Sequence, residues 1–175
     1  ARDYILFLLA TGLRKSEATS LRWKDVNFRK KTFDIPYNKV GRFMRVPMTR
    51  LVHDMFRWRK NLKHDEIDQL NAHPKWVFPN KGRTGGFAAP RKALFRISTL
   101  ANFENDIAPH DLRRTFSTYC KELGFQLDDI GKLLNHANRS VTDSYVSRSL
   151  NTLRQQYEGV WELIESRIGS DVTKD

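Results

Sequence analysis

The stretch PHDLRRTFSTYC, residues 109–120, sets His110 and Arg113 one helical turn apart, just after a proline. On a helix the two are i and i+3, so they share a face at the N-terminal end, where unpaired backbone N–H groups already favour an anion. An imidazole and a guanidinium placed there make a cradle for a phosphate. The plainer meaning of a lone His-x-x-Arg is that His110 caps the helix and Arg113 is a surface charge. Residues of the same chemical kind recur along the chain. TGLRKSE (11–17) sets Arg14 beside a glycine turn with Glu17 one turn on, which is also how a surface ion pair looks. NKVGRFMRVP (38–47) sets Lys39 near Gly41, where solvated hairpin lysines are common. LLNHANRSVTDSYV (133–146) carries His136 after an apolar run and Tyr145 on the next short helix, where a tyrosine taken alone reads as half-buried core. Each residue has a bland account singly. The ordered set Arg, Glu, Lys, His-x-x-Arg, His, Tyr is much harder to assemble by chance.

The elements that must position this set follow from pattern. Residues 2–11 read as a helix ended by Gly12 in a left-handed cap, with a second helix over 13–23. Residues 31–48 alternate β-formers and polar residues around Gly41, a small sheet or hairpin whose strands Pro36 and Pro47 keep short. Leu51, Met55, Trp58 and Leu62 recur at helical spacing and read as core, and 64–90 reads mostly as loop around one short strand. Helices are expected at about 90–104, 110–123, 127–134, 140–147 and 151–168. On the 110–123 helix, Leu112, Phe116, Tyr119 and Leu123 form the expected core stripe, with His110 and Arg113 on another face. The chain is therefore expected to be mainly α with a small antiparallel sheet or hairpin, an α+β fold.

Size and charge narrow the function. A chain of 175 residues with 39% hydrophobic content suits one globular unit with a real core. Lys and Arg number 31 against 20 Asp and Glu, and the net charge of +11 calls for a polyanionic partner. Nucleic acid fits better than an anionic membrane, because the basic residues spread along the chain instead of collecting on one amphipathic helix. The apolar run YILFLLATGL (4–13) is too short to span a bilayer and lacks a signal-peptide cleavage site, so it reads as a core helix. The single Cys120 excludes an internal disulfide framework and points to a reducing compartment, hence the cytoplasm. The cluster His64, Asp65, Glu66 and Asp68 has no second His at ligand spacing and reads as a solvated loop, not a metal site.

The ordered set resembles the catalytic domain of tyrosine recombinases, the phage integrase family. The resemblance runs from TGLRKSEATSLRW through Tyr145, PHDLRRTFST matches the family's His-x-x-Arg box, and His136 precedes Tyr145 by the spacing the family uses. It implies catalytic roles for Arg14, Lys39, His110, Arg113, His136 and Tyr145, support from Glu17, and neither metal nor cofactor. Lys31 lies in the same region as Lys39, and the "VP" at 46–47 favours Lys39. "LNH" stands where the family commonly has glycine before the histidine; Asn135 is the next-best residue for a left-handed cap, so the turn is expected to survive.

What the resemblance implies is site-specific recombination: integration or excision of phage or mobile-island DNA through a 3′-phosphotyrosyl intermediate. The partners would be double-stranded DNA, a homotetramer assembled on it, and accessory DNA-bending proteins as candidates, in a bacterial cytoplasm and at the nucleoid when DNA-bound. Two other readings use the same residues or fewer: a type IB topoisomerase that reseals the same strand, and a basic DNA-binding module without catalysis. Residues 1–175 would be the catalytic domain, with nothing resembling the family's N-terminal DNA-clamping domain. The chain also starts without Met, directly in a helix, so a preceding segment is expected. The tail helix 151–168 places Leu153, Tyr157, Val160, Trp161, Ile164 and Ile168 on one stripe, which must be buried. Composition favours packing on its own domain; the resemblance suggests docking on a neighbouring protomer.

Overall fold

The computed structural model describes residues 1–36, 43–61, 73–80, 86–87, 90–135 and 149–172, with side chains up to Ile168. The first helix, α1 (Arg2–Thr11), buries Tyr4, Phe7, Leu8 and Ala10 and ends where Gly12 turns left-handed at φ 63°, its N–H donating to Leu8 O. Only glycine suits this turn. A Cβ there would lie 2.6 Å from both Leu134 Cδ2 and Phe116 Cδ1, far inside van der Waals contact.

The helix expected over 13–23 is only α2 (Lys15–Thr19). Beyond it Leu21 O accepts from Val77 N and Trp23 N donates to Lys75 O, and Leu21 itself is fully buried. Continuing the helix would forfeit those bonds and that burial. Instead the chain makes a 3-10 turn at Trp23–Asp25 and enters a three-stranded antiparallel sheet in the order β1 (Val26–Asn27), β2 (Thr32–Ile35), β3 (Met44–Pro47). Phe33 pairs with Val46 and Ile35 with Met44, so the two long strands form the expected hairpin. Its inner face is apolar, while Asp34 receives a forked ion pair from Arg45 at 2.8 and 3.0 Å across the strands.

The third helix, α3 (Arg50–Lys60), is capped by Thr49, whose hydroxyl accepts from Val52 N, and buries Val52, Met55 and Phe56. Trp58, expected as core, is 47% exposed. The position next to it explains why. Arg59 turns inward to pair with Asp3 of α1 at 3.0 Å, donates to Val77 O and lies over the Phe78 ring at 5.1 Å. An arginine partnered at Nε and Nη1 thus takes the inward place, and the tryptophan one residue earlier, about 100° round the helix, faces out. Leu62 lies outside the described residues. Among its described residues, the segment expected to hold a strand forms isolated bridges, Arg22 with Trp76 and Pro79 with Gly86. Phe7, Phe33, Phe56 and Phe78 meet edge-on or tilted at centroid distances of 5.1–6.2 Å, which joins α1, the sheet, α3 and this loop in one core.

The second half adds α4 (Arg91–Leu100), α5 (Pro109–Glu122), α6 (Leu127–Leu133) and α7 (Leu150–Val172). The helix expected at 140–147 lies outside the described residues. Helix α5 packs on α1 and α7, and its buried residues are Leu112, Arg113, Phe116 and Cys120. The expected stripe is therefore rotated: Tyr119 is half-buried and Leu123 is 39% exposed. Leu123 caps α5 at the turn through Gly124, whose N–H bonds Lys121 O while Phe125 N bonds Cys120 O. That closure directs Leu123 outward.

The tail helix buries Tyr157, Val160, Trp161 and Ile164 on its own domain, against β3, α5 and α1, while Ile168 remains 54% exposed. It is also tied by polar contacts: Glu158 accepts from Arg50 N at 3.0 Å, a carboxylate on the N-terminus of α3, and Arg154 donates to Lys30 O and Lys31 O. Among the described residues no helix is long and apolar enough to cross a membrane.

The Gly12 turn generates a direct prediction. Gly12→Ala adds left-handed strain to overpacking against Phe116 and Leu134, and should destabilise the domain by about 3 kcal/mol, read as a lowered midpoint with unchanged slope in urea unfolding.

Candidate active site

Two helix starts and one helix end converge beside the Gly12 turn. Arg14 is the N-cap of α2. Its backbone N–H donates to Glu17 Oε2 at 2.8 Å and its Nη1 to Glu17 Oε1 at 3.0 Å. Glu17 is 5% exposed, so this is no surface pair: the carboxylate closes the first turn of α2 and holds the guanidinium in one operation. The platform is fixed from below by Tyr4, whose hydroxyl donates to Lys15 O and meets Thr19 Oγ1, both at 3.0 Å.

Arg113 is 5% exposed, which overturns both its expected separation from the core face and the surface-charge account. Its Nη1 donates to Gly12 O at 2.7 Å and its Nη2 to Leu134 O at 2.6 Å. The planar fork thus ties the turn after α1 to the end of α6. The next carbonyl, Asn135 O, accepts from Arg14 Nη1 at 3.4 Å. Asn135 has φ 51°, the left-handed geometry expected of it. His110 is the second residue of α5 and is exposed. It does not cap the helix; Asp111 does, its Oδ2 accepting from Ala108 N at 2.9 Å.

The electrostatics of this cluster favour an anion. Burial, and then the nearby Arg14 charge, push the Arg113 pKa down to about 10, while the Glu17 carboxylate opposes the shift. At neutral pH the group remains cationic. Among the described residues, two guanidiniums share the field of one buried carboxylate, Glu17. A second negative charge, such as a phosphate oxygen, would offset the excess.

Of the residues singled out from the sequence, the structure brings together Arg14, Glu17 and Arg113, and sets His110 one turn before Arg113 on the same helix. Lys39, His136 and Tyr145 lie outside the described residues. Sequence reasoning missed the carbonyls of Gly12, Leu134 and Asn135 as ligands of the arginines, since backbone acceptors carry no residue signature. It also placed Tyr157 on a core stripe, and as a fallback nucleophile, without seeing its contact with this turn. Its hydroxyl donates to Leu133 O at 2.6 Å, and its burial raises its pKa well above that of a free tyrosine. Among the described residues, no group of three or more His, Cys, Asp or Glu is placed to hold a metal ion.

The fold and this arginine cluster define a member of a known class, and the comparison with protein families agrees: the model of the phage integrase family matches residues 1–151. The chain belongs to the phage integrase family. Among curated proteins it is similar to the prophage integrase IntF of Escherichia coli K12, 28% identical over 171 residues, covering 96% of this chain and 35% of that integrase. It is likewise 28% identical over 183 residues to the tyrosine recombinase XerA of Pyrococcus horikoshii, covering 96% of this chain and 58% of the recombinase. The chain therefore spans about a third to somewhat over half of the length of these relatives. Among solved structures it resembles the Tn1549 transposon integrase in complex with circular intermediate DNA, with a TM-score of 0.57 and 25% identity over 84% of this chain and 53% of that one.

The forked contact sets up a test of Arg113. An ammonium cannot span Gly12 O and Leu134 O together, so Arg113→Lys should leave a buried carbonyl unpaired and cost about 2 kcal/mol of stability. Any anion-dependent activity should fall nearly as far as in Arg113→Ala. A Lys variant with near-normal stability and activity would reduce Arg113 to a simple cation.

Proposed function

We propose that the chain is the catalytic domain of a site-specific DNA recombinase that cuts and rejoins strands through a tyrosyl–DNA intermediate. The observation that carries this reading is the convergence of Arg14 and Arg113 on successive carbonyls with only Glu17 to balance them among the described residues. Supporting it are the excess of basic residues along the chain and the DNA held by the similar Tn1549 integrase.

In this mechanism Arg14 and Arg113 direct their remaining N–H donors at the nonbridging oxygens of the scissile phosphate and neutralise charge that builds in the transition state. Glu17 keeps Arg14 aimed. His110, exposed on the first turn of α5, donates to the same oxygens or takes the phenolic proton, and His136 donates alongside it. The Tyr145 oxygen attacks phosphorus and forms the 3′-phosphotyrosyl bond, while the 5′-oxygen leaves and takes a proton from Lys39. Attack by a 5′-hydroxyl of a second strand reverses the step, so the energy of the broken bond is retained in the covalent link. Strand exchange in this way calls for protomers assembled on double-stranded DNA, a tetramer in the full recombinase, with DNA-bending proteins as candidate helpers.

The test is covalent trapping on a nicked recognition site. Wild-type protein should form a protein–DNA adduct, and Tyr145→Phe should abolish it while leaving DNA affinity within about twofold, because only the nucleophilic oxygen is lost. Adduct formed by the Phe variant would redirect the assignment to another tyrosine, and no adduct from the wild type would favour a non-catalytic DNA-binding module.

The role of Lys39 is separable. Lys39→Ala should slow cleavage of an ordinary phosphodiester by about a hundredfold, yet barely slow cleavage of a 5′-bridging phosphorothiolate, whose leaving group hardly needs an acid. Equal slowing on both substrates would shift the acid to Lys31 or make Lys39 a DNA contact.

A further inference from the structure

Leu133, Leu134 and Asn135 end α6, and each of their carbonyls is taken by a different side chain. Tyr157 Oη donates to Leu133 O at 2.6 Å, Arg113 Nη2 to Leu134 O at 2.6 Å and Arg14 Nη1 to Asn135 O at 3.4 Å. The donors come from α7, α5 and the start of α2. Two of the three are the arginines assigned above to the phosphate. The third, Tyr157, is 1% exposed and so reaches neither solvent nor substrate. Its ring leans on Phe116 at 5.7 Å, and Phe116 packs where the Gly12 turn passes.

We propose that Tyr157 is a positioning residue for the active site: its hydroxyl pins the end of α6 so that Arg113 and Arg14 find their carbonyls in register and present their free edges to the phosphate. The inference rests on the function proposed above and adds to it a physical link between the tail helix and the arginines. A helix carbonyl near a C-terminus lacks an intrahelical donor and needs one from elsewhere. If Leu133 O lost its donor, the turn would be free to shift. A shift of a few tenths of an ångström at Leu134 O moves the acceptor that orients the Arg113 fork, and rates of phosphoryl transfer are steep in such misplacement. The next residue in the sequence after Asn135 is His136, so the same turn leads directly into another residue assigned to the phosphate.

The seating of α7 does not depend on this hydroxyl alone. Val160, Trp161 and Ile164 are buried, and Glu158 caps α3. Tyr157→Phe should therefore keep the helix docked and remove only the bond to Leu133 O, which makes it a clean probe.

The experiment compares wild type and Tyr157→Phe in the full chain by two measurements. Hydrogen exchange should quicken locally, at the Leu134 and Asn135 amides and the Arg113 guanidinium protons, with protection in α1 unchanged. Single-turnover cleavage of a nicked DNA site at saturating protein should slow about tenfold with DNA affinity within about twofold, a loss confined to the chemical step. Unchanged exchange at the turn would overturn the proposal, as would a uniform loosening that includes α1, which marks an ordinary core residue. Local loosening with wild-type cleavage would overturn it too. Failure of the wild-type protein to form any adduct would count against the recombinase reading, and the exchange data would still decide alone whether Tyr157 holds the turn.

Discussion

The Arg113 guanidinium is buried, cationic at neutral pH, and held by two backbone carbonyls, Gly12 O and Leu134 O. A buried charge is tolerable only where its hydrogen bonds are made and its field is compensated. Here the bonds are made by turns that must themselves be exact in place, and the field is balanced in part by Glu17. Much of the surrounding structure follows from that constraint. The turn after α1 must bring its carbonyl inward, which Gly12 permits by adopting φ 63° against Phe116 and Leu134 with no Cβ to intervene. The end of α6 must expose successive carbonyls to one side, which Asn135 permits at φ 51°.

The hydrophobic core serves this arrangement by fixing where the three segments meet. Phe116 faces the Gly12 turn on one side and Tyr157 on the other, so α1, α5 and α7 are indexed to each other through one ring. Tyr4 does the same for α2, joining its burial in the first helix to hydrogen bonds at Lys15 O and Thr19. An arginine pair on rigid, packed elements keeps its geometry without reorganisation when an anion arrives, which is where preorganised electrostatics gain their strength. The tail helix belongs to the same body: it is packed on β3, α5 and α1 and contributes a hydrogen bond to the turn that the arginines grip.

Local signals in the sequence were legible where one residue's own chemistry decides the outcome. Gly12 and Asn135 announce left-handed turns because few other residues tolerate them. Pro36 and Pro47 bound the hairpin strands, and the tail stripe from Tyr157 to Ile164 is buried as its spacing requires. The order of Arg14, Glu17, Lys39, His110, Arg113, His136 and Tyr145, together with the motifs around them, pointed to the phage integrase family.

What pattern could not decide was which of several possible faces a helix turns inward. Trp58 faces solvent because Arg59 found Asp3, Val77 O and Phe78 together. Leu123 faces solvent because the Gly124 turn closes α5 there. Arg113 lies inside because carbonyls from two distant turns await it. For Arg59 and Arg113 the deciding partners are remote in sequence, and their availability depends on how other elements have already packed; for Leu123 the decision is local, made by the turn that closes the helix. The sequence by itself determined the chemical inventory, the left-handed turns at Gly12 and Asn135 and the class of protein. Only the tertiary structure decided that backbone carbonyls hold the arginines, since a carbonyl is present at every residue and becomes a ligand only where folding leaves it without a helical partner and within reach of a donor.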